Sequence, residues 1–346
     1  MRILPLLLTT LSLAAQNPDK DLPALLRTLK VGGEGGWDYL AVDGKAGRIY
    51  LPRGTRVMVL DLDGKSVGEI ADTAGVHGVA LAEELDRGFT SNGRSDTVTV
   101  FKLSSLEVVK VVKTTGANPD AILYEPATRR VFVFNGRGKN ATVVDAATLE
   151  VTATIPMGGK PEFPAADGKG KVFVNVEDTA ELLKLDAKTC QVESRWSLAP
   201  LQDPTGLAID RTGGRLFSVG RNRLMAVVDT GSGKVLQTLP IGSGTDGVAY
   251  DSGTGRAYAS NGEGTITVVR KETAGTYAVA GPVITKQGAR TIALDSVRHR
   301  LYLPTAEFEP APPPTKEGER PRPKMVAGSF QLLVVGPTTA PETKQK

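Results

Sequence analysis

A basic residue followed two positions later by an aromatic recurs seven times: Arg48/Tyr50, Arg87/Phe89, Arg130/Phe132, Lys171/Phe173, Arg215/Phe217, Arg256/Tyr258 and Arg300/Tyr302. Successive beats are 39 to 44 residues apart, the length of one four-stranded propeller blade. Seven such units fill almost all of the 346 residues, so one closed array accounts for the chain from 17 to 346 with no second domain left over. Seven of the eighteen Phe, Tyr and Trp residues fall on the same repeat position, which marks them as placed packing elements.

The third unit shows how a repeat becomes a blade. PDAILYE, RVFVFN, ATVVDA and EVTATI are four short β-branched and aromatic runs separated by turn residues, which predicts an antiparallel meander over 119–155. A lone meander leaves both faces exposed, whereas repetition around an axis covers them. The fold class is therefore all-β, a seven-bladed β-propeller of four-stranded antiparallel blades. Each first strand centres on a small residue (Ala41, Ala80, Ala165, Ala208, Ala249, Ala293; Leu123 is the exception), as strands converging on an axis require. Aromatic residues on the second strands then fill the widening space between blades. LLRTLKV at 25–31 reads as a lone fourth strand and FQLLVVG at 330–336 as a final third strand, so pairing the N-terminal strand into the last blade closes the ring and removes two exposed edges.

Acidic residues Asp43, Glu125, Asp167, Asp210, Asp251 and Asp295 open the turns that the beat's Arg or Lys closes, which suggests paired charges fixing each hairpin. His299, in the charged turn SVRHR on that same face, is expected to be solvated.

Residues 1–16, MRILPLLLTTLSLAAQ, have the charged start, short apolar run and small residues of a secretory signal peptide. The run is too short for a transmembrane anchor, so a periplasmic or secreted protein is expected. Cys190 is the only cysteine, which excludes an intramolecular disulfide. A net charge of +4, with acidic and basic residues interspersed, does not announce a nucleic-acid surface.

The strand ends FTSN (89–92), VFVFN (131–135) and YASN (258–261), with VVDAATLEVTATIPMGGKPE (143–162), resemble the YVTN-repeat, YncE-like family of seven-bladed propellers. The resemblance covers 25–336. It implies the fold and, because YncE is associated with single-stranded DNA, a nucleic-acid reading of function; it carries no particular ligand. LYLPT (301–305) and LFSVG (216–220) lack the motif's Asn.

Aligning the seven first strands places Asp38, His77, Asp120, Glu162, Thr205, Asp246 and Arg290 at one site, ringing a mouth of the central channel. The linkers between second and third strands, carrying Arg53, Arg94, Arg137, Glu177 and Arg221, belong to the same face. Such a ring suits a solvated mouth, a polar ligand, a divalent cation or acid-base chemistry. Trp37 follows GGEGG and offers either a stacking platform beside the ring or packing between blades. The candidate ligand-binding set is Trp37, Asp38, His77, Asp120, Glu162, Asp246 and Arg290. No metal or cofactor is assigned.

A proline-rich stretch at 307–329, with Lys316, Arg320, Arg322 and Lys324, interrupts the last blade on the mouth face, as a lid, a docking segment or a loop without a partner. No CxxCH, HExxH, Walker or GxSxG motif is present. The reading is a non-catalytic binding module for a small polar ligand or protein partner at the mouth, with a metal-assisted, lactonase-like hydrolase and single-stranded DNA binding as the rivals.

Overall fold

A computed structural model describes residues 21–272, 275–313 and 323–338. The signal segment 1–16 and the loop residues Lys316, Arg320 and Arg322 lie outside the described residues. Among the described residues, twenty-eight strands form seven four-stranded antiparallel sheets. The first six blades run in chain order over 41–70, 76–113, 119–156, 161–197, 204–240 and 245–284. The seventh joins Ala293–Asp295, Arg300–Thr305 and Gln331–Gly336 to the N-terminal strand Ala24–Lys30, which pairs antiparallel with Gln331–Gly336. Among the described residues no helix is long and apolar enough to cross a membrane.

The core is divided among the seams. Seven clusters of buried side chains each draw on two neighbouring blades, and each holds one aromatic of the beat at its junction with the following blade. Phe132, for example, sits among Ala166, Val172 and Val174 of blade 4. Five of the seven are wholly inaccessible, and Phe173 and Tyr258 are 1% and 5% exposed. The sevenfold aromatic is thus a seam filler, placed where radiating sheets diverge.

The basic partners of the beat behave differently from the sequence expectation. Asp43, Asp210 and Asp295 accept two backbone N–H groups each from their own turns, and Glu125 and Asp167 do likewise. These acids cap the tight turns and do not pair with the Arg that closes them, because a carboxylate at the turn's first position lies within reach of its unpaired donors. Arg130 instead donates to Ala187 O and Lys188 O of the next blade at 2.6 and 2.7 Å, and Arg215 pairs with Asp229 at 2.8 Å. His299 is not merely solvated: its Nδ1 lies 2.8 Å from Asp251 Oδ2, which ties blade 7 to blade 6.

The SN of the repeat motif has two structural roles. Asn92, Asn135 and Asn261 are fully buried and donate to side chains of the third strand, for example Thr97 and Thr99 or Thr265 and Thr267. Ser91 and Ser260 reach across the seam to the carbonyls of Asp120 and Arg290. The motif therefore locks its own hairpin and fixes the mouth residue of the following blade.

Candidate functional site at the channel mouth

Mouth residues gain their direction from a recurring irregularity. In blades 2 to 6 the pairing of first and second strands shifts register at the mouth end, between Val76 and Val79, Pro119 and Ile122, Pro161 and Pro164, Pro204 and Leu207, and Thr245 and Gly247. His77, Asp120, Glu162, Thr205 and Asp246 lie within these bulges, which turn side chains away from the ordinary alternation. Glycines after three of them let first strands approach at the axis. A Cβ on Gly206 would stand 2.8 Å from Asp246 O, so no side chain fits there.

Asp38, His77 and Asp120 converge from blades 1 to 3. His77 Nδ1 is 2.7 Å from Asp38 Oδ2 and 3.6 Å from Asp120 Oδ1. Burial by itself would lower the imidazole's pKa, yet the hydrogen bond to Asp38 and the charge of Asp120 raise it above the usual value. Burial, then the charges of Asp38 and Asp246, push the Asp120 carboxyl up to about 6 against the opposing His77 and Lys160.

The other side of the ring is neutralised. Lys160 Nζ bridges Glu162 at 2.5 Å and Glu177, and Arg221 binds Glu177 at 3.0 Å. Arg290 Nε meets Asp246 Oδ2 at 2.7 Å. Thr205 departs from the expected ring: it is 1% exposed, with its hydroxyl facing Val219 O and Thr245 O.

Tyr39, missed in the sequence reading, crosses the channel from blade 1. Its ring meets Phe163 of blade 4 edge-on at 4.8 Å, and its hydroxyl donates to Glu162 Oε2 at 3.4 Å. Burial and the charges of Asp246, Asp120, Asp38 and Glu162 hold its pKa well above the ordinary phenol value, so it stays a neutral donor. Its place directly after Asp38 was the available signal, but nothing in the repeat shows that a side chain spans the axis.

Burial, then the charge of Asp120, raises Glu162 to about 8, against the Lys160 ammonium. A carboxyl whose pKa is raised on folding stabilises the fold below its unfolded value and loses that contribution as pH rises toward about 8. Glu162→Gln should therefore change stability little at pH 5 and become progressively stabilising relative to the parent by pH 8, by about 1.4 kcal/mol per pH unit at most. Chemical denaturation of both proteins in EDTA checks this. A constant difference across that range would show that Glu162 is ionised throughout.

Trp37 both packs in a seam and lines the mouth cavity. Its ring meets Phe330 at 5.1 Å and Phe308 at 6.1 Å in the seam of blades 7 and 1. Arg53, expected on the mouth face, is 1% exposed, with its guanidinium 3.6 Å over Phe330 and a donor to Gly33 O at 2.9 Å. Burial, then Arg56, lowers its pKa to about 10. The described foot of the proline-rich loop lies here too, with Phe308 bridged to Met325.

Above the Asp38, His77 and Asp120 side lies a cavity of about 840 Å³, lined by Asp38 and His77 and by Arg94 and Arg137. Neither arginine has an ion pair among the described residues. A Cβ on Gly93 would come 2.7 Å from His77 Nε2, so glycine keeps this wall clear of the imidazole.

No protein-family profile matches the chain, and no curated protein matches it. Among solved structures it is similar to the RRP9 WD40 repeats, with a TM-score of 0.76 and 10% identity over 91% of this chain and 99% of that one. It is also similar to a chain of Kuenenia stuttgartiensis hydrazine synthase, with a TM-score of 0.68 and 15% identity over 78% of this chain and 92% of that one. At these identities the likeness concerns the fold alone. The chain is a seven-bladed β-propeller.

Proposed function

We propose that this protein is a non-catalytic binding module that takes a small polar ligand with anionic groups at the channel mouth over blades 1 to 3. The observation that carries this reading is the asymmetry of the mouth. On the far side Glu162, Glu177 and Asp246 each meet a lysine or arginine, whereas the cavity side joins two arginines, without an ion pair among the described residues, to an open polar floor. Propellers commonly bind partners at such faces, and a protein partner seated on the foot of the 307–329 loop would border the same cavity. The apolar segment 1–16 supports export to the periplasm or beyond. The repeat motifs support kinship with the YVTN-repeat, YncE-like proteins. The ring of Trp37 already packs against Phe308 and Phe330, which leaves less of it for base stacking and so weighs against the single-stranded DNA reading.

The test is a thermal-shift screen of small carboxylates, phosphates and sugar acids against the mature chain, with each hit measured again on Arg94→Ala/Arg137→Ala. Charge-assisted hydrogen bonds contribute about 1.5–3 kcal/mol each, so the double variant should bind at least about tenfold more weakly. Its own melting temperature should stay within a few degrees, because neither arginine holds an ion pair among the described residues. A hit that binds both proteins equally would move the site elsewhere. An oligonucleotide that binds with affinity falling steeply in salt, while no small anion binds, would replace this reading with the nucleic-acid one.

A further inference from the structure

The floor of the mouth contains one cluster whose chemistry exceeds polar contact. Asp38, His77 and Asp120 each present one ligating atom, and the three atoms lie within 4.8 Å of one another. Three different blades supply them: Asp38 precedes the first strand of blade 1, and His77 and Asp120 lie in the bulges at the mouth end of the first strands of blades 2 and 3, so the arrangement is held by the ring itself. Ser91 holds the Asp120 backbone through its carbonyl, and Thr291 Oγ1 lies 3.4 Å from Asp38 O.

Two details separate this cluster from a satisfied hydrogen-bond network. First, Asp120 Oδ1 is buried yet accepts no hydrogen bond, although it faces His77 Nδ1 at 3.6 Å. A buried carboxylate oxygen without a partner is costly, and a bound cation removes that cost. Second, the charges do not balance. The carboxylates of Glu177 and Asp246 are met by Lys160, Arg221 and Arg290, while Asp38 and Asp120 share a single imidazole.

We infer that Asp38, His77 and Asp120 form a binding site for a divalent first-row transition-metal ion, with its open coordination positions facing the cavity. One imidazole and two carboxylates make a mixed nitrogen and oxygen donor set, which suits zinc and its neighbours better than magnesium or calcium with their all-oxygen shells. Bonds of about 2.0–2.2 Å place the donors of one ion roughly 3–3.5 Å apart. The observed 2.7 and 3.6 Å bracket that spacing, and all three donor atoms already lie within 4.8 Å of one another, so small shifts bring them around one ion. On binding, Nδ1 gives its lone pair to the metal and the ring proton resides on Nε2, beside the space that Gly93 leaves open. Three protein ligands leave at least one position for water or for an oxygen of the anionic ligand proposed above, which Arg94 and Arg137 would hold at its other end. The ligand's contact with the metal rests on the small-anion reading; the metal site itself does not.

Zinc alone is the probe. Isothermal titration of Zn²⁺ into EDTA-stripped, desalted mature protein should show one saturable site. His77→Ala and Asp120→Asn should each weaken it at least about 100-fold, beyond the loss typical of outer-shell changes. Asp63→Asn, which removes the same charge on an exposed turn of blade 1, should leave it within about threefold. Asp120→Asn keeps the side-chain shape, so it remains informative if His77→Ala fails to fold. Co²⁺ in place of Zn²⁺ should give a visible absorption band that Asp120→Asn alters. Absence of saturable binding, or binding unchanged in both ligand variants, overturns the site. Either result leaves small-anion binding at Arg94 and Arg137 to be judged by its own screen.

Discussion

A chain lacking residues 24–30 is expected to lose its cooperative unfolding transition or to melt far below the intact protein. The strand Ala24–Lys30 pairs along the whole of Gln331–Gly336, every residue of which is buried. Removing it turns that strand into an exposed edge and strips Leu29 from the seam of blades 7 and 1. Lost backbone pairing at about 1 kcal/mol per bond, with lost seam packing, exceeds about 5 kcal/mol, a large fraction of the 5–15 kcal/mol that holds a typical domain together. With no disulfide available to tie the ends, closure rests on this pairing together with the packing of blade 7 against blade 1. Thermal and urea unfolding followed by circular dichroism decide the matter, and an unchanged midpoint would mean that the ring does not depend on this strand.

Phe132→Ala should cost about 3–5 kcal/mol, the range for deleting a fully buried aromatic. The residue is inaccessible and packs into blade 4, so its loss opens a cavity between two rigid sheets that cannot collapse without changing the angle between blades. The equivalent change at Tyr258, which keeps 5% of its surface exposed, should cost less. Urea denaturation at fixed pH measures both. Equal, small effects of about 1 kcal/mol would contradict the assignment of the aromatic beat to seam filling.

How much of this was legible beforehand follows from what repeats. The aromatic beat, the small residue on each first strand and the complementary ends depend on periodicity, so blade count, strand order and ring closure could be read from spacing. The turn acids misled because spacing shows that Asp43 and Arg48 share a hairpin but cannot show that the turn's own N–H groups lie nearer the carboxylate than the guanidinium does. Arg53 looked like a mouth residue for the same reason, and a buried face over Phe330 is a tertiary contact between blades 1 and 7. Aligning the first strands located Asp38, His77, Asp120, Glu162, Asp246 and Arg290 on one face, but not how they divide. That division depends on Lys160, which lies two residues before the aligned position, and on Tyr39, which crosses the axis. Lys160 has no counterpart in other units and Tyr39 has one aromatic counterpart, Phe163, so the repeat does not reveal that they act across the mouth.

The physical consequence is a mouth of two unlike halves. Blades 4 to 6 carry carboxylates locked to cations, which rigidifies the ring and leaves little for a ligand to compensate. Blades 1 to 3 carry the unsatisfied oxygen of Asp120, the shared imidazole of His77 and two arginines without ion pairs among the described residues, around an open cavity. The first half reads as scaffold and the second as the place where binding brings a net gain.

A crystal structure of the mature protein with the strongest hit from the small-anion screen tests this division most directly. The account predicts ligand density in the cavity above Asp38, His77 and Asp120, with its anionic groups against Arg94 and Arg137. Density confined to the half of the mouth held by Lys160, Arg221 and Arg290, or to a cleft on the outer wall of the ring, would contradict it.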